Sequence, residues 1–535
     1  MARTRCRPRP TQAKTLTPVI THCPECGHLL RAAYSNYRTV TTLNAVTRLT
    51  LHVRSCPNSD CSRYHDPHRP EAEALLALPH HEFGLDVLAV VGRLRHAEHR
   101  SVPEVHRELT RRGVAIALRS VTNLLDRYDE LRALATADRQ RLHALLRKQR
   151  RVVLAIDGLQ PDVGHEVLWV LRDCLSGEVL LARSLLSATI TGLKALVTEV
   201  RRALPVPITA AVSDGQDSLR KAIAQALPGV PHQQCHFHYL REATKPIYEA
   251  DRHAKKELKK RVRGVRPIER QAEQGPGEEA EVVRDYCVAV RAALTDDGRP
   301  PLAASGLRLQ ERLAKVAASL DRVEAKAGRL PRGLKKLRRL LRRGLEETAT
   351  LWPSVRAAYC WVMRVARLLE NKAKRPAKEV RRGLSALLSK IRQAAAQAKD
   401  PAVAEQLRWF VKVTRSDWKG LFHCYESSDI PRTNNDLEHL FGSHRYHERR
   451  ASGRKQASPG LVVQGSVRVV ASLATRLRPE EGLKLRTGYV DDWRRLRAEL
   501  DKRRETRRKQ RRFRRDPAKY LSKVEERCLK LGLPP

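Results

Sequence analysis

The stretch from Pro207 to Glu242 constrains the fold of this chain more than any other. An apolar run, Ile208 to Val212, has the length and composition of a buried strand, and it stops at Ser213-Asp214-Gly215. The pattern then predicts an amphipathic helix and a second short strand from Gln233 to Phe237. Asp214 is therefore expected at the edge of an α/β sheet where ligands and catalytic groups collect. A carboxylate buried there alone would be costly, and a cation would offset the cost.

Charge is the second constraint. The chain has 104 Lys and Arg residues against 59 Asp and Glu residues, so its formal net charge is +45. Such an excess opposes compaction unless a polyanion neutralises it, and nucleic acid is the expected partner. A ribosomal or histone-like structural role fits the same charge, as does a solvated basic surface without a partner. The length of 535 residues, 41% of them hydrophobic, allows two to four domains with real cores.

Hydropathy and cysteine content bear on location. No run of about 18 apolar residues is present, so we expect no membrane span. Residues 1–14 lack the apolar centre of a signal peptide, and we expect a cytoplasmic, nucleoid-associated protein. The eleven cysteines are then expected to be thiols or metal ligands rather than disulfides.

Two cysteine pairs near the start predict a zinc site. Cys23 and Cys26 form one pair, and Cys56 and Cys61 form a second pair with a longer spacer. Four thiolates can bind one tetrahedral Zn²⁺, which would supply much of the folding energy of a small module. Unmetallated thiols in loops are the alternative. Three histidines could also replace one of the thiolates: His22, His28 and His65.

The next segment predicts a pair of short helices. Ser101 is a candidate N-cap with Glu104 three residues later, Gly113 breaks the pattern, and a second helix begins near Leu118 or Ser120. A helix-turn-helix would have this form, although any αα-hairpin looks similar. As a recognition helix, the second helix would present these residues to a DNA groove: Arg119, Ser120, Thr122, Asn123 and Arg127.

An α/β core is predicted after the basic linker 147–151. Its first strand, Val152 to Ile156, is continuously apolar and ends at Asp157-Gly158. Two more strands, a helix and the opening stretch follow, which gives the order strand, strand, strand, helix, strand, helix, strand. That order matches a ribonuclease H-like core, in which the first and fourth strands are neighbours. Asp157 and Asp214 are then expected side by side.

Four short motifs follow one another through the chain: Asp157-Gly158, Ser213-Asp214-Gly215, Cys235-His236-Phe237-His238 and Thr433-Asn434-Asn435-Asp436-Leu437-Glu438. In this order they resemble the DDE transposases of the Mutator-like type and their bacterial insertion-sequence relatives. The resemblance covers roughly residues 152–455. It implies that Asp157, Asp214 and Glu438 form a metal-binding catalytic triad. Cys235 and His238 match a Cys-x2-His pair that the family tends to carry after the second aspartate.

The chemistry of these residues is consistent with that triad. Two Mg²⁺ (or Mn²⁺) ions held by three carboxylates can activate an oxygen nucleophile, stabilise the leaving oxygen and neutralise charge at phosphorus. Turn-forming Asp-Gly pairs would explain Asp157 or Asp214 taken singly. A capping box with Asn435 as N-cap would explain Glu438 taken singly. We favour the catalytic interpretation of Glu438, because it occurs together with two aspartates at strand ends and a basic helix face at Arg445 and Arg449. If Glu438 is not the third acid, Asp436 is the expected substitute.

The remaining patterns concern DNA contacts and packing. Cys235 and His238 could form half of a second zinc site. We favour a supporting role for this pair beside the catalytic edge.

The basic tail, 503–515, is expected to contact phosphates as a helix or a disordered arm. Residues 461–477 predict an apolar helix that closes the core. Four tryptophans lie in a predicted helical insertion, where one could stack on an unpaired base or all could simply pack: Trp352, Trp361, Trp409 and Trp418.

The predicted organisation is an α/β catalytic core, of the ribonuclease H-like mixed-sheet type, interrupted by an all-α insertion. The segments are a zinc module (1–70), a helix-turn-helix domain (71–146), the core (147–245 and 430–480), the insertion (246–429) and a basic tail (481–535). We expect a DNA transposase that acts on double-stranded element ends and target DNA as a homodimer or higher multimer. A nuclease or resolvase that cuts without joining is one alternative. A transposase-derived DNA-binding regulator is the other.

Overall fold

A computed structural model of the chain describes residues 8–160, 166–296, 302–453, 463–481, 485 and 490–530. Within the helices, the side chains at 435, 436, 438, 440, 528 and 530 lie outside the described set. The chain forms two compact units. The first contains the described residues of 1–152, 156–207 and 436–535, and the second contains those of 153–155 and 208–435.

The first unit begins with a three-stranded sheet. Its strands are β1 (Gln12–Leu16), β2 (Arg31–Thr41) and β3 (Val46–Ser55), in the order β1-β3-β2. β3 pairs with β1 in parallel and with β2 antiparallel. Leu49, Leu51 and Val53 are buried at every second position of β3, so one face of this small sheet packs on a core.

Four helices follow: α1 (Leu85–His96), α2 (Val102–Arg111), α3 (Leu118–Thr136) and α4 (Arg139–Gln149). The predicted capping box is confirmed, because the Ser101 hydroxyl accepts from the Glu104 N–H and the Glu104 carboxylate accepts from the Ser101 N–H. Gly113 follows α2 with φ of +82°, a conformation that favours glycine. The predicted helix pair is therefore present, with its second helix starting at Leu118.

A second sheet holds five strands. The elements are β4 (Val152–Leu159), β5 (Val167–Asp173), β6 (Val179–Leu185), α5 (Ile190–Ala203), β7 (Ile208–Ser213), α6 (Asp217–Ala226) and β8 (His232–Gln234). The strand order is β6-β5-β4-β7-β8, so the first and fourth strands of this segment are neighbours, as the sequence predicts. β5 and β6 pair antiparallel and β7 and β8 pair in parallel, which makes the sheet mixed.

Two boundaries in this sheet differ from the sequence prediction. β4 continues past Asp157 to Leu159, and a Cβ at Gly158 would lie 3.1 Å from the Val167 side chain of β5. The glycine therefore serves close strand packing rather than a turn. The predicted strand from Gln233 to Phe237 stops at Gln234, because Cys235 accepts the first helical hydrogen bond from Tyr239 N–H.

Helices build the rest of the second unit. They are α7 (His236–Ala243), α8 (Lys245–Arg261), α9 (Val265–Glu273), α10 (Glu278–Thr295), α11 (Ser305–Ala327), α12 (Arg332–Glu347), α13 (Trp352–Glu370), α14 (Ala377–Gln397) and α15 (Pro401–Asp417). They enclose two apolar cores, one around Leu313 and Leu337 and the other around Tyr239 and Phe410. Helical structure thus fills the described part of the predicted insertion.

The chain returns to the first unit through α16 (Asn435–Ser452), α17 (Ser466–Leu477), α18 (Val490–Arg515) and α19 (Pro517–Lys530). α17 packs on α3, where the Tyr128 hydroxyl and the Thr475 hydroxyl lie 2.7 Å apart. The basic tail is helical, and Arg504 in it pairs with Asp126 at 2.8 Å. Among the described helices, none is both long enough and apolar enough to cross a bilayer.

Candidate active site and metal centre

The four predicted zinc ligands converge at one point. Cys23 and Cys61 place their Sγ atoms 3.8 Å apart, and the Sγ atoms of Cys26 and Cys56 are 3.5 Å apart. All four Sγ atoms lie within 4.8 Å of one another. Tetrahedral coordination with Zn–S bonds of about 2.3 Å requires sulfur–sulfur separations of about 3.8 Å. The cluster could therefore hold a zinc ion.

The surroundings act differently on two of the thiols, because burial raises the pKa of Cys56 to about 12 while Cys26 is shifted the other way. A hydrogen bond from the backbone of His28 lowers the pKa of the Cys26 thiol to about 6. The loop is tight, because Cys23 O accepts from Gly27 N–H at 2.9 Å and Gly27 has φ of +71°. Among the described residues, no other group of three or more histidine, cysteine or acidic side chains converges this closely. None of the three candidate histidines joins it.

Asp157 lies near the end of β4. Its side chain is buried, and its Oδ1 accepts from the Gly158 N–H at 2.8 Å. The Val152 N–H at the start of β4 donates to Pro207 O, directly before β7, at 3.0 Å. β4 and β7 are neighbours in the strand order of the sheet. That Asp157 and Asp214 lie side by side stays a prediction.

Asp214 begins the turn that leaves β7. Its Oδ1 accepts from the Gln216 N–H at 3.2 Å, and the side chain is half-buried. The strand beneath it is fixed by the parallel β8, since Cys235 N–H donates to Ser213 O at 2.8 Å. The turn directs Asp214 toward a cavity of about 420 Å³ in the second unit.

This cavity combines acids and cations. Asp214, Glu242 and Asp417 line it, and so does His238. The basic side chains that share the lining are Arg220, Arg241 and Lys412. Carboxylates suit a divalent cation, whereas basic side chains attract phosphate oxygens. The cavity therefore carries both kinds of group that a metal-assisted phosphodiester reaction needs.

Asp417 is an acid that the sequence analysis missed. It ends α15, and its Oδ1 lies 3.2 Å from Arg220 Nη1 on α6. A Cβ at Gly215 would lie 3.5 Å from Asp417 Oδ2, so this carboxylate adjoins the turn after Asp214. Burial raises the pKa of Asp417 to about 6, although Arg220 opposes the shift. An acid with its pKa near physiological pH is a usual mark of a functional cleft.

Cys235 connects two of the sequence motifs. Its buried Sγ accepts from the Asn434 backbone N–H at 3.2 Å, and the His236 N–H donates to Arg432 O at 3.0 Å. The start of α7 therefore fixes the segment that leads into α16, the helix that carries Glu438. This contact gives the Cys-x2-His pair a positioning role in the second unit.

The two histidines of the pair have different surroundings. His236 is buried, and its Nε2 lies 2.8 Å from Leu421 O. Burial lowers the pKa of His236 to about 4, so this ring is neutral and structural. His238 is half-buried and lines the cavity of Asp214 one helical turn after Cys235. His238 is thus the member of the motif that faces the candidate site.

The acids of the last motif are only partly described. Glu438 and Asp436 lie on α16, but their side chains are outside the described residues. The three-acid triad therefore remains a prediction. On the same helix Arg445 and Arg449 are exposed, as a DNA-contacting face requires.

The predicted recognition helix is partly corrected. On α3, Arg119 and Asn123 are exposed and Ser120 and Thr122 are half-buried. Arg127 is buried instead, because it pairs with Glu130 and its guanidinium lies 6.0 Å from the Trp493 ring. Its side chain is therefore part of the core and does not reach a groove.

The tryptophans of the insertion serve packing in three cases. Trp352 is buried, Trp418 packs edge-on against Phe422 at 5.0 Å, and Trp361 lies under Arg364. Trp409 differs, since it lines the Asp214 cavity and donates from Nε1 to Glu242 O at 3.0 Å.

The sequence was also compared with known proteins. No protein-family model matches it, and no curated protein matches it significantly.

Proposed function

We propose that this chain is a DNA transposase of the DDE type, which cuts double-stranded element ends and joins them to target DNA with the help of Mg²⁺ or Mn²⁺. The zinc cluster and the α2–α3 helix pair recognise the ends, and a homodimer or higher multimer holds two of them together. This proposal extends the resemblance of the four sequence motifs to the Mutator-like transposases and their bacterial insertion-sequence relatives.

One observation carries the proposal. Asp214 faces a cavity that it shares with His238, Asp417 and three basic side chains. The carboxylates of such a cavity are suited to hold a hard cation. The neighbouring cations are suited to hold the phosphates of a nucleic acid. A chain of net charge +45 supplies the long-range attraction for such a substrate.

The roles follow from the donor atoms. Asp157, Asp214 and Glu438 would hold the metal, which when bound supplies Lewis acidity and a lowered pKa for an attacking oxygen. Arg220 pairs with Asp417 and keeps this acid beside Asp214. Arg241 and Lys412 bind phosphate oxygens at the cavity wall. Cys235 fixes the approach of the chain to Glu438.

The experiment is a plasmid assay. A supercoiled plasmid that carries the sequences flanking this reading frame is incubated with the full chain and Mg²⁺. Nicked and linear products are expected and, with target DNA present, joined strand-transfer products as well. The Asp214→Asn variant is expected to abolish both. The matched control is Asp217→Asn, three residues later and 62% exposed, which should behave as wild type.

Other outcomes point to the alternative functions. Cleavage without any joined product would identify a nuclease or resolvase on the same core. DNA binding without cleavage, with biological effects unchanged in Asp214→Asn, would identify a transposase-derived regulator. Inverted repeats and short target duplications around the reading frame would favour the transposase.

A further inference from the structure

Helix α12 carries a continuous row of cations. Its sequence, RGLKKLRRLLRRGLEE, buries Leu334, Leu337 and Leu341 in the helical core of the second unit. The opposite side lines an open surface depression of about 620 Å³, and every lining residue except Glu346 is basic. The helix is thus held by its leucines while its charge faces solvent.

Some of these cations are neutralised within the protein. Arg338 pairs with Glu324 and Asp321, Arg342 pairs with Asp321 at 2.8 Å, and Arg343 lies 3.7 Å from Glu347. Four others have no acidic partner within 4.0 Å among the described residues. We call them the α12 basic face: Arg332, Lys335, Lys336 and Arg339.

The spacing of the α12 basic face puts its members on one side of the helix. Residues three, four and seven positions apart are neighbours on a helix surface. At about 1.5 Å of rise per residue, positions 332 to 339 span about 10 Å. A DNA duplex carries one negative charge per about 1.7 Å of its axis, so several phosphates occur over that length. Four unpaired cations over this length can therefore contact more than one phosphate.

The composition of the helix selects among polyanions. It contains no aromatic residue and no methionine. Single-stranded nucleic acid is bound largely by stacking bases on aromatic side chains, so it is disfavoured here. Protein interfaces are enriched in aromatic residues and methionine and depleted in lysine, so an acidic protein is disfavoured too. A duplex backbone needs charge alone.

We propose that the α12 basic face binds the phosphate backbone of duplex DNA, outside the cavity of Asp214 and without reading sequence. The choice of DNA as the polyanion rests on the proposed function. The binding itself does not depend on catalysis, because phosphate contacts are electrostatic.

The test measures binding of the full chain to a fluorescent 20-base-pair DNA duplex of random sequence, in EDTA, across a range of KCl concentrations. The variant is Lys335→Gln/Lys336→Gln/Arg339→Gln. The matched control, Lys260→Gln/Arg308→Gln/Arg356→Gln, removes the same charge from exposed cations that already pair with Glu257, Asp296 and Glu311. Equal circular dichroism and melting temperature establish that both variants fold.

Each phosphate contact contributes about 0.9 to the slope of log K against log salt. The variant is expected to lower the magnitude of this slope by about 2 to 3 and to weaken binding at least tenfold at fixed salt, relative to the control. Equal slopes and affinities in the variant and the control would overturn the proposal. The same measurement is made with labelled polyglutamate and with duplex RNA. The proposal would also be overturned if the variant lost affinity for either of these polyanions while it kept wild-type affinity for duplex DNA. Because EDTA prevents metal-dependent cleavage, this result is independent of whether Asp214 is catalytic.

Discussion

The thiol of Cys235 accepts a hydrogen bond, 3.2 Å long, from the backbone N–H of Asn434, and the two residues are 199 positions apart. The contact joins the Cys-x2-His motif to the segment that carries Glu438. The cysteine is fully buried, so the hydrogen bond is made away from water, where it is strengthened. A motif that looks like half of a metal site thus acts as an anchor.

Removing this anchor should damage catalysis more than folding. We expect Cys235→Ala to lower the free energy of unfolding by about 1 kcal/mol. We also expect it to slow DNA cleavage at saturating DNA at least about tenfold, because small displacements of catalytic groups are costly. DNA affinity should be unchanged, and Cys235→Ser should recover part of the rate by restoring an acceptor.

Cys287→Ala is the matched control for this prediction. Cys287 is also fully buried, in the apolar core around Leu313. Its truncation should cost similar stability without slowing cleavage. Equal cleavage rates in the two variants would show that Cys235 has no positioning role.

The acid beside Asp214 predicts a pH dependence of stability. The pKa of Asp417 is raised from 3.8 to about 6, so the folded chain holds this proton more tightly than the unfolded chain does. The contribution of Asp417 to the free energy of unfolding therefore decreases as pH rises from about 4 to about 6. The melting temperature of Asp417→Asn minus that of wild type should therefore increase over this pH interval. Above about pH 7 the difference between the two melting temperatures should stay constant.

Asp217→Asn provides a control of opposite sign, since Lys221 lowers the pKa of Asp217. Any stability it contributes is lost as pH falls, and its exposure makes the effect small. Melting curves recorded at half-unit pH steps test both variants. An Asp417→Asn protein that follows wild type at every pH would contradict the assignment.

The cysteine cluster predicts one bound zinc per chain. Metal analysis of the purified protein should find about one zinc, and a thiol-reactive mercurial should release it. Cys26→Ser should lose the metal and unfold the N-terminal sheet, because zinc binding supplies folding energy in small modules. Cys360→Ser, at an exposed free cysteine outside the cluster, should keep both. Full zinc content in Cys26→Ser would exclude the four-cysteine site.

A buried ion pair between α3 and α17 should dominate the stability of their contact. Arg468 Nε donates to Asp129 at 2.8 Å, and the other oxygen of this acid lies 2.7 Å from His96 Nε2. Arg468→Met would leave a buried charge without its cation, which costs about 3 to 5 kcal/mol. Urea unfolding measures this loss. Arg494→Met, in an exposed pair with Asp491, should change stability by less than about 1 kcal/mol.

Local patterns made much of the fold predictable. The apolar runs of β4 and β7, the capping box at Ser101 and the cysteine spacing each depend on residues close in sequence. The order of elements also predicted that the first and fourth strands of the second sheet are neighbours. Such features follow from periodicity, capping and strand connectivity.

The features that escaped prediction depend on distant contacts. Asp417 reaches the turn after Asp214 because Arg220, 197 positions away, pairs with it, and no local pattern encodes that pairing. Arg127 has the spacing of an exposed recognition residue, yet Glu130 and the far-removed Trp493 bury it. The side chain of Glu438 lies outside the described residues, so its place in the triad stays a prediction.

The most direct test of the proposed function asks whether Asp157, Asp214 and Glu438 each touch the proposed catalytic metal. Each is replaced by cysteine, and DNA cleavage is measured with Mg²⁺ and then with Mn²⁺, which accepts sulfur ligands more readily. We predict that all three variants are inactive with Mg²⁺ and recover cleavage with Mn²⁺. Wild-type cleavage with Mg²⁺ by any one of the three cysteine variants would contradict this prediction.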